Sequence, residues 1–187
     1  MKKSILIPTI LVAMIFGATS TVSAQTKPVT PFKPGTVTLA LGVGVGAQYK
    51  GNYYNTGFGT KAALEVGVWK AGPGTISIGG QVGGSFSNNG PYNDYKARTF
   101  IVAGRSAWHY GWQVPGLDTY AGLSAGVGFH NYGWKNGNNN NDDDYNEVIP
   151  VLGAFVGASY FVTPKFGFNA EAGYDITQVQ AGVIFRF

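Results

Sequence analysis

The sequence predicts an all-β fold, namely an eight-stranded antiparallel up-and-down transmembrane β-barrel, and three observations carry this prediction. Apolar residues alternate with glycine or polar residues along almost the whole chain, which is the period of β-strands. Eight such segments follow one another with no helical segment between them, a pattern typical of a sandwich or an up-and-down barrel. Glycine contributes 29 of the 187 residues, and because an interior glycine costs a helix about 1 kcal/mol relative to alanine, a helix bundle is disfavoured.

The first element of the chain, residues 1–24, is predicted to be a cleaved signal peptide. Lys2 and Lys3 precede an apolar run from Ile5 to Phe16, and the small residues that follow end in a cleavage pattern at Ala24. The apolar run is shorter than the roughly 20 residues that a spanning helix needs. Residues 25–35 contain three prolines and are predicted to be an extended periplasmic leader, and residues 36–187 form the predicted barrel.

Charge and cysteine content exclude several classes of protein. Charged residues make up 12% of the chain and aromatic residues 14%, a composition that excludes a disordered chain. Without Lys2 and Lys3, the 13 basic residues fall to 11 against 9 acidic ones, and no basic cluster remains, so no nucleic-acid partner is expected. The absence of cysteine excludes a disulfide scaffold, thiolate metal sites and cysteine nucleophiles.

The first four predicted strands each place an apolar face opposite a face of glycine, polar and small residues. Their bounds are Thr36–Tyr49, Phe58–Lys70, Thr75–Ser87 and Tyr95–Tyr110. The apolar faces carry Val37, Leu39, Leu41, Val43 and Val45; Ala62, Leu64, Val66 and Val68; Ile76, Ile78, Val82 and Phe86; and Phe100, Val102 and Trp108. The apolar faces are expected to contact lipid and the other faces to line the lumen. Trp69 has lumen parity, so we expect either that its strand ends before it or that a bulge intervenes.

The last four predicted strands repeat this alternation. Their bounds are Leu117–Tyr132, Glu147–Thr163, Phe166–Asp175 and Thr177–Phe187. The apolar faces carry Ala121, Leu123, Val127 and Phe129; Leu152, Val156 and Tyr160; Phe166, Phe168 and Tyr174; and Val179, Val183, Phe185 and Phe187.

Strand length, face composition and connector length favour the barrel over the sandwich. The predicted strands exceed the usual soluble length of about 5–6 residues and reach the roughly 9–11 needed to span a membrane. The second face is rich in glycine and serine, which suits the narrow lumen of eight strands. Short connectors (70–74 and 163–165) and longer polar ones (50–57, 88–94 and 133–146) are distributed as in outer-membrane barrels, although connector 109–116 is long for the short-turn side.

Three charged residues form the sharpest local prediction. Glu65, Arg105 and Glu171 all have lumen parity and lie at similar heights in their strands. Because an unpaired charge in a narrow lumen is costly, we expect Arg105 to bridge at least one of the two glutamates. Such a plug would block or gate a pore. The alternative is that lumen water solvates each charge separately.

Neither a cofactor nor a metal is expected, and no catalytic site is predicted. His109 and His130 have lumen parity, lie far apart and lack carboxylates at ligand spacing, so rim positions with a structural role are expected. The connector 133–146 contains Asn138–Asn141 and Asp142–Asp144, whose oxygens suit calcium, but the EF-hand spacing is absent. A solvated, mobile loop is the preferred interpretation, with calcium binding as the alternative.

The end of the sequence carries a resemblance to a known family. Gln180, Gly182, Phe185 and Phe187 form a pattern that resembles the C-terminal insertion signal of outer-membrane β-barrel proteins. With the signal peptide and eight strands, residues 36–187 resemble the small OmpA/OmpX-type barrels. The resemblance implies the outer membrane of a Gram-negative-type bacterium, outer-membrane lipids as surroundings and the barrel-assembly machinery as a partner of the C-terminal strand.

These observations predict a non-enzymatic outer-membrane protein with a structural or surface-interaction role. Counting strands from a periplasmic amino end places the longer loops outside, where they can contact an extracellular partner. Aromatic residues near both strand ends fit the two interfacial girdles. The first alternative is a narrow porin-like channel for small solutes or ions, and the second is a lipid-modifying barrel enzyme.

Overall fold

The computed structural model describes residues 31–47, 57–88, 95–134 and 143–187. Eight antiparallel strands follow one another in chain order around a closed barrel, and β8 pairs back with β1. The strands are β1 Val37–Ala47, β2 Phe58–Ala71, β3 Gly74–Asn88, β4 Tyr95–Gly111, β5 Leu117–Trp134, β6 Asp143–Phe161, β7 Phe166–Tyr174 and β8 Thr177–Arg186. The predicted eight-stranded antiparallel up-and-down barrel is confirmed. Among the described residues, no helix is long and apolar enough to cross a membrane.

The strand bounds differ most from the sequence prediction where β5 and β6 meet their connector. β5 extends to Trp134, and β6 begins at Asp143 rather than at Glu147, with Trp134 paired with Asp143. The sequence at the start of β6 is polar at almost every position, so apolar and polar residues do not alternate there and do not reveal the strand. Residues 135–142, which include most of the candidate calcium loop, lie outside the described residues, as do the last two residues of the first predicted strand.

The two faces of the barrel have opposite chemistry. The outer face exposes large apolar side chains on every strand, with Leu152 70%, Leu123 67% and Val43 65% exposed. The inner face buries charged and polar side chains, and Glu65, Arg105 and Glu171 are each about 5% exposed or less. The alternation that defined the strands therefore separates an apolar wall from a polar lumen.

A bulge in β2 explains the parity of Trp69. The register of β2 against β3 shifts between Gly67 and Trp69, so that Val68 and Trp69 both point outward and are 44% and 48% exposed. Of the two predicted explanations for Trp69, the bulge is therefore correct.

The two ends of the barrel differ in their connections. The lower end carries the turns β2–β3, β4–β5 and β6–β7 together with residues 31–36 and the end of β8. Gly116 has a φ of +83°, which favours glycine, and its carbonyl accepts a 2.9 Å hydrogen bond from the Phe161 amide. At the upper end, the turn between β7 and β8 folds into the barrel, where Ile176 is fully buried against Ile101 and Val151.

Candidate functional site

Seven charged or ionisable side chains form a continuous chain through the lumen, called here the lumen ion chain. In order of contact from the upper to the lower end, they are Asp175, Lys61, Glu171, Arg105, Glu65, His109 and Asp118. Acidic and basic groups alternate along this order, and all seven are buried. Buried charges are tolerated when they are paired and hydrogen-bonded, and this alternation gives every charge an opposite neighbour.

Arg105 on β4 is the centre of the lumen ion chain. Its Nε forms an ion pair with Glu65 Oε1, and its Nη2 donates to Glu171 Oε1 at 2.8 Å. Its Nη1 donates to Gln81 Oε1 at 3.1 Å, and the guanidinium lies 4.1 Å from the centroid of the Phe155 ring. One planar cation therefore joins carboxylates from β2 and β7, which the fork of an arginine suits better than a lysine.

The upper half of the lumen ion chain is organised by Lys61. Its Nζ forms ion pairs with Glu171 Oε2 and, at 2.9 Å, with Asp175 Oδ2. Gln81 Nε2 and Ser124 Oγ donate to Asp175 Oδ1 at 2.8 and 3.0 Å. Both oxygens of Asp175 are thus hydrogen-bonded, which offsets the burial of this turn residue.

The lower half of the lumen ion chain is organised by His109. Its Nδ1 lies 2.7 Å from Asp118 Oδ2, and its Nε2 lies 2.9 Å from Glu65 Oε2. Because a carboxylate faces each ring nitrogen, both nitrogens donate, and the ring fits here as an imidazolium. The phenyl ring of Phe32 stacks on it, with centroids 3.8 Å apart and an interplanar angle of 8°.

Phe32 closes the lower mouth of the barrel. It is 1% exposed, although it lies in the segment that the sequence predicted as an extended leader. The segment is held by hydrogen bonds from the Gly35 amide to the Gly67 carbonyl at 2.8 Å and from the Gly67 amide to the Thr36 carbonyl at 2.9 Å. Side chains therefore occupy the lumen at three levels: Ile176 above, the lumen ion chain in the middle and Phe32 below.

Gly79 allows β2 and β3 to approach closely beside the central ion pair. On β3 it lies directly between Glu65 on β2 and Arg105 on β4 in the strand register. A Cβ on Gly79 would come within 2.9 Å of the Glu65 Cα and still closer to the Leu64 carbonyl oxygen. A larger residue at this position would collide with the backbone of β2, so the glycine keeps the strands that carry the ion pair close together.

Ser77, His109 and Asp118 have the connectivity of a hydrolytic triad, but their surroundings oppose that chemistry. Ser77 Oγ lies 3.1 Å from His109 Nε2, and Asp118 lies on the other side of the ring. However, Ser77 Oγ donates to Glu65 Oε2 at 2.9 Å and is fully buried. A histidine whose Nε2 donates to a carboxylate is not available as a general base for this serine.

The structure brings together all three residues of the predicted charge network and adds four that sequence reasoning left out. Arg105 contacts both Glu65 and Glu171. Lys61 has the same lumen parity as Glu65, so parity alone was a signal for it. His109 was assigned only a structural position at the rim, while Asp118 and Asp175 were missed because they lie at strand ends, where parity is hardest to assign.

The residues of the C-terminal pattern close the barrel against β1. Gln180 Nε2 donates to Glu171 Oε2 at 2.9 Å, and Gly182 pairs with Gly42. Phe185 packs on Phe166 with ring centroids 5.5 Å apart, and Phe187 is 75% exposed.

His130, the second histidine, lies in the lumen, and its Nδ1 is 2.7 Å from Thr99 Oγ1. Within the described parts of the chain, no group of three or more His, Cys, Asp or Glu residues could hold a metal ion.

Comparisons with known proteins identify the fold. No family model and no curated protein matches the chain. The crystal structure of Ail, the attachment invasion locus protein of Yersinia pestis, matches at 14% identity with a TM-score of 0.51, covering 82% of this chain and 99% of Ail. The crystal structure of Neisserial surface protein A matches at 17% identity with a TM-score of 0.52, covering 82% of this chain and 97% of that protein. The chain therefore has the fold of the small eight-stranded outer-membrane barrels.

Proposed function

We propose that the chain is an integral β-barrel protein of the outer membrane, with a structural or surface-interaction role and a plugged lumen. The protein reaches this membrane after its signal peptide is cleaved near Ala24–Gln25. The observation that carries this proposal is the combination of an apolar outer wall with a lumen filled by paired charges. Water would make such a wall unfavourable, whereas lipid requires it, together with the closed hydrogen-bonded strands.

The unequal strand lengths support the surface role. β7 has 9 residues, enough for about 23 Å along the axis of a tilted barrel, which is close to the apolar band of about 25 Å. β5 has 18 residues, enough for about 45 Å. The lower ends of β5, β6 and β7 all lie at the short turns. The extra length of β5 and β6 is therefore at their upper ends, which extend beyond the lipid band. These extensions, and the connectors that continue from them, are the proposed contact region for an extracellular partner.

The filled lumen favours this role over a channel. An ion would have to displace Phe32, break the lumen ion chain and pass Ile176. Each barrier on its own opposes steady conduction, and the ion pairs are buried, so solvent does not screen them.

The same geometry favours a non-enzymatic role over a lipid-modifying enzyme. Ser77, the serine within reach of a histidine, is fully buried and faces the lumen, away from any lipid substrate. Its hydroxyl proton is directed to the Glu65 carboxylate rather than to His109. The remaining parts of the proposal are outer-membrane lipids around the wall and the barrel-assembly machinery, which would engage β8 through Gln180, Gly182, Phe185 and Phe187.

Heat-dependent gel migration and planar-bilayer recording test this proposal. We expect an unboiled sample to migrate differently from a boiled one, because a barrel resists unfolding by detergent at low temperature. In bilayers we expect no steady openings. Steady openings that change in Glu65→Ala or Glu171→Ala would favour the channel, and identical migration with and without boiling would contradict the barrel in its membrane form.

A further inference from the structure

An open cleft of about 710 Å³ lies at the lower end of the barrel, between residues 31–36, the β4–β5 turn, the β6–β7 turn and the end of β8. We call it the lower cleft. Three cationic side chains line it, namely Lys33, Lys165 and Arg186. None of the three forms a direct ion pair with an Asp or Glu side chain of the described residues.

Arg186 is held in place at the cleft. Its Nε donates to the Pro164 carbonyl at 2.7 Å, and its Nη1 donates to the Pro31 carbonyl at 2.8 Å. Its guanidinium also lies 4.6 Å from the centroid of the Phe161 ring. Carbonyl oxygens fix the orientation of the guanidinium but leave its full positive charge. The cleft therefore presents a pre-positioned cation, flanked by two exposed lysines.

The outer side of the lower cleft is apolar. Val162 and Phe187 line it and are 52% and 75% exposed, and Pro115 lines the opposite turn. The lower cleft thus places fixed positive charge beside apolar side chains on the rim of the barrel wall. A free phosphate would use only the charges, whereas a phospholipid matches both parts, with its phosphate on the cations and its glycerol and acyl region on the apolar side chains.

We propose that the lower cleft binds the phosphate headgroup of an anionic phospholipid in the leaflet that surrounds the lower end. This inference rests on the proposed membrane location of the barrel. Charge complementarity supports an anionic rather than a zwitterionic lipid, because the described lower end also carries Lys70 and no exposed Asp or Glu side chain. Asp118, its acidic residue, is buried and directed to His109. Basic residues near a membrane surface favour anionic lipids, and basic pockets bind their headgroups.

The test is lipid binding to the folded, signal-free barrel, measured by native mass spectrometry during titration with phosphatidylglycerol or phosphatidylcholine. We expect tighter binding of phosphatidylglycerol. In the double variant Lys33→Gln/Lys165→Gln, its affinity should fall about fivefold for each lysine removed. Lys70→Gln removes the same charge from the same end of the barrel outside the cleft, and should change the affinity less than twofold.

Three outcomes would overturn the inference. They are equal affinity for the two lipids, an equal loss in Lys70→Gln and in the double variant, or displacement of phosphatidylglycerol by millimolar inorganic phosphate, which would identify a site for free anions. If the double variant does not fold, Lys165→Gln alone carries the comparison. A barrel that inserts into phosphatidylcholine vesicles without lipid preference refutes only this inference. Failure to insert into any vesicle refutes the proposed function and this inference together.

Discussion

The inner and outer faces of the same eight strands are stabilised in different ways. On the inner face, each charge has a particular partner. A single residue, Arg105, contacts Glu65, Glu171 and Gln81. On the outer face, side chains such as Leu123 and Leu152 project from the wall and remain more than half exposed. The inner face therefore depends mainly on specific partners, whereas the outer face depends mainly on whether water or lipid surrounds it. This difference predicts how substitutions on the two faces will behave.

The largest effect is expected from Arg105→Ala. It leaves Glu65 and Glu171 without their shared cation in a buried lumen, and breaking such a network costs about 3–5 kcal/mol. The free energy of unfolding in phospholipid vesicles, obtained from urea titrations, measures the loss. Arg98→Ala, which removes an exposed arginine from the same strand, is the control and should change stability by less than about 0.5 kcal/mol. Equal losses in the two variants would show that the lumen ion chain does not stabilise the barrel.

A charge on the outer face should have the next largest effect. Leu123 on β5 is 67% exposed, and Leu123→Arg should cost about 2–4 kcal/mol in vesicles if the side chain meets the centre of the lipid band. Val114, an apolar side chain 49% exposed in the β4–β5 turn, provides a control at the interface, where Val114→Arg should cost about 0–1 kcal/mol. In water both substitutions would be nearly neutral, so a negligible cost for Leu123→Arg would contradict a lipid-facing wall.

Two serines in neighbouring positions test the comparison within one layer of the barrel. Ser77 on the inner face donates to Glu65, whereas Ser106 on β4 points outward and donates to the Ser77 carbonyl at 2.7 Å. Ser77→Ala removes a partner of a buried carboxylate and should cost about 1–3 kcal/mol in urea titrations. Ser106→Ala exchanges a hydroxyl for a methyl group at a lipid-facing site and should cost less than about 1 kcal/mol. The reverse order would mean that the two faces have been assigned wrongly.

The sequence predicted the faces well because alternation is a local property of each strand. It predicted the barrel, gave a bulge as one of two explanations for the parity of Trp69, and assigned Glu65, Arg105 and Glu171 to the lumen. It assigned no role to Phe32, since stacking on His109 depends on a segment folding back across the barrel mouth. Asp175 and Asp118 were missed for a related reason. Their roles depend on the height at which neighbouring strands end, and this height follows from the register of the whole barrel rather than from any one strand.

The smallest predicted effect concerns two tryptophans that are equally exposed at the lower end. Trp112 is 49% exposed and donates from Nε1 to Thr119 Oγ1 at 2.8 Å, whereas Trp69 is 48% exposed and forms no such bond with the described residues. Phenylalanine keeps most of the aromatic surface in either position, so Trp112→Phe should cost about 1 kcal/mol more than Trp69→Phe in urea titrations of vesicle-inserted protein. Thr119→Val removes the acceptor and also the hydrogen bond that Thr119 donates to the Tyr110 carbonyl at 3.3 Å, so it should cost at least as much as Trp112→Phe. Adding Trp112→Phe to Thr119→Val should then cost little more. If the two tryptophan variants lose the same free energy, the hydrogen bond does not contribute. Trp112 would then contribute only through contact with the surrounding lipid, as we expect for Leu123.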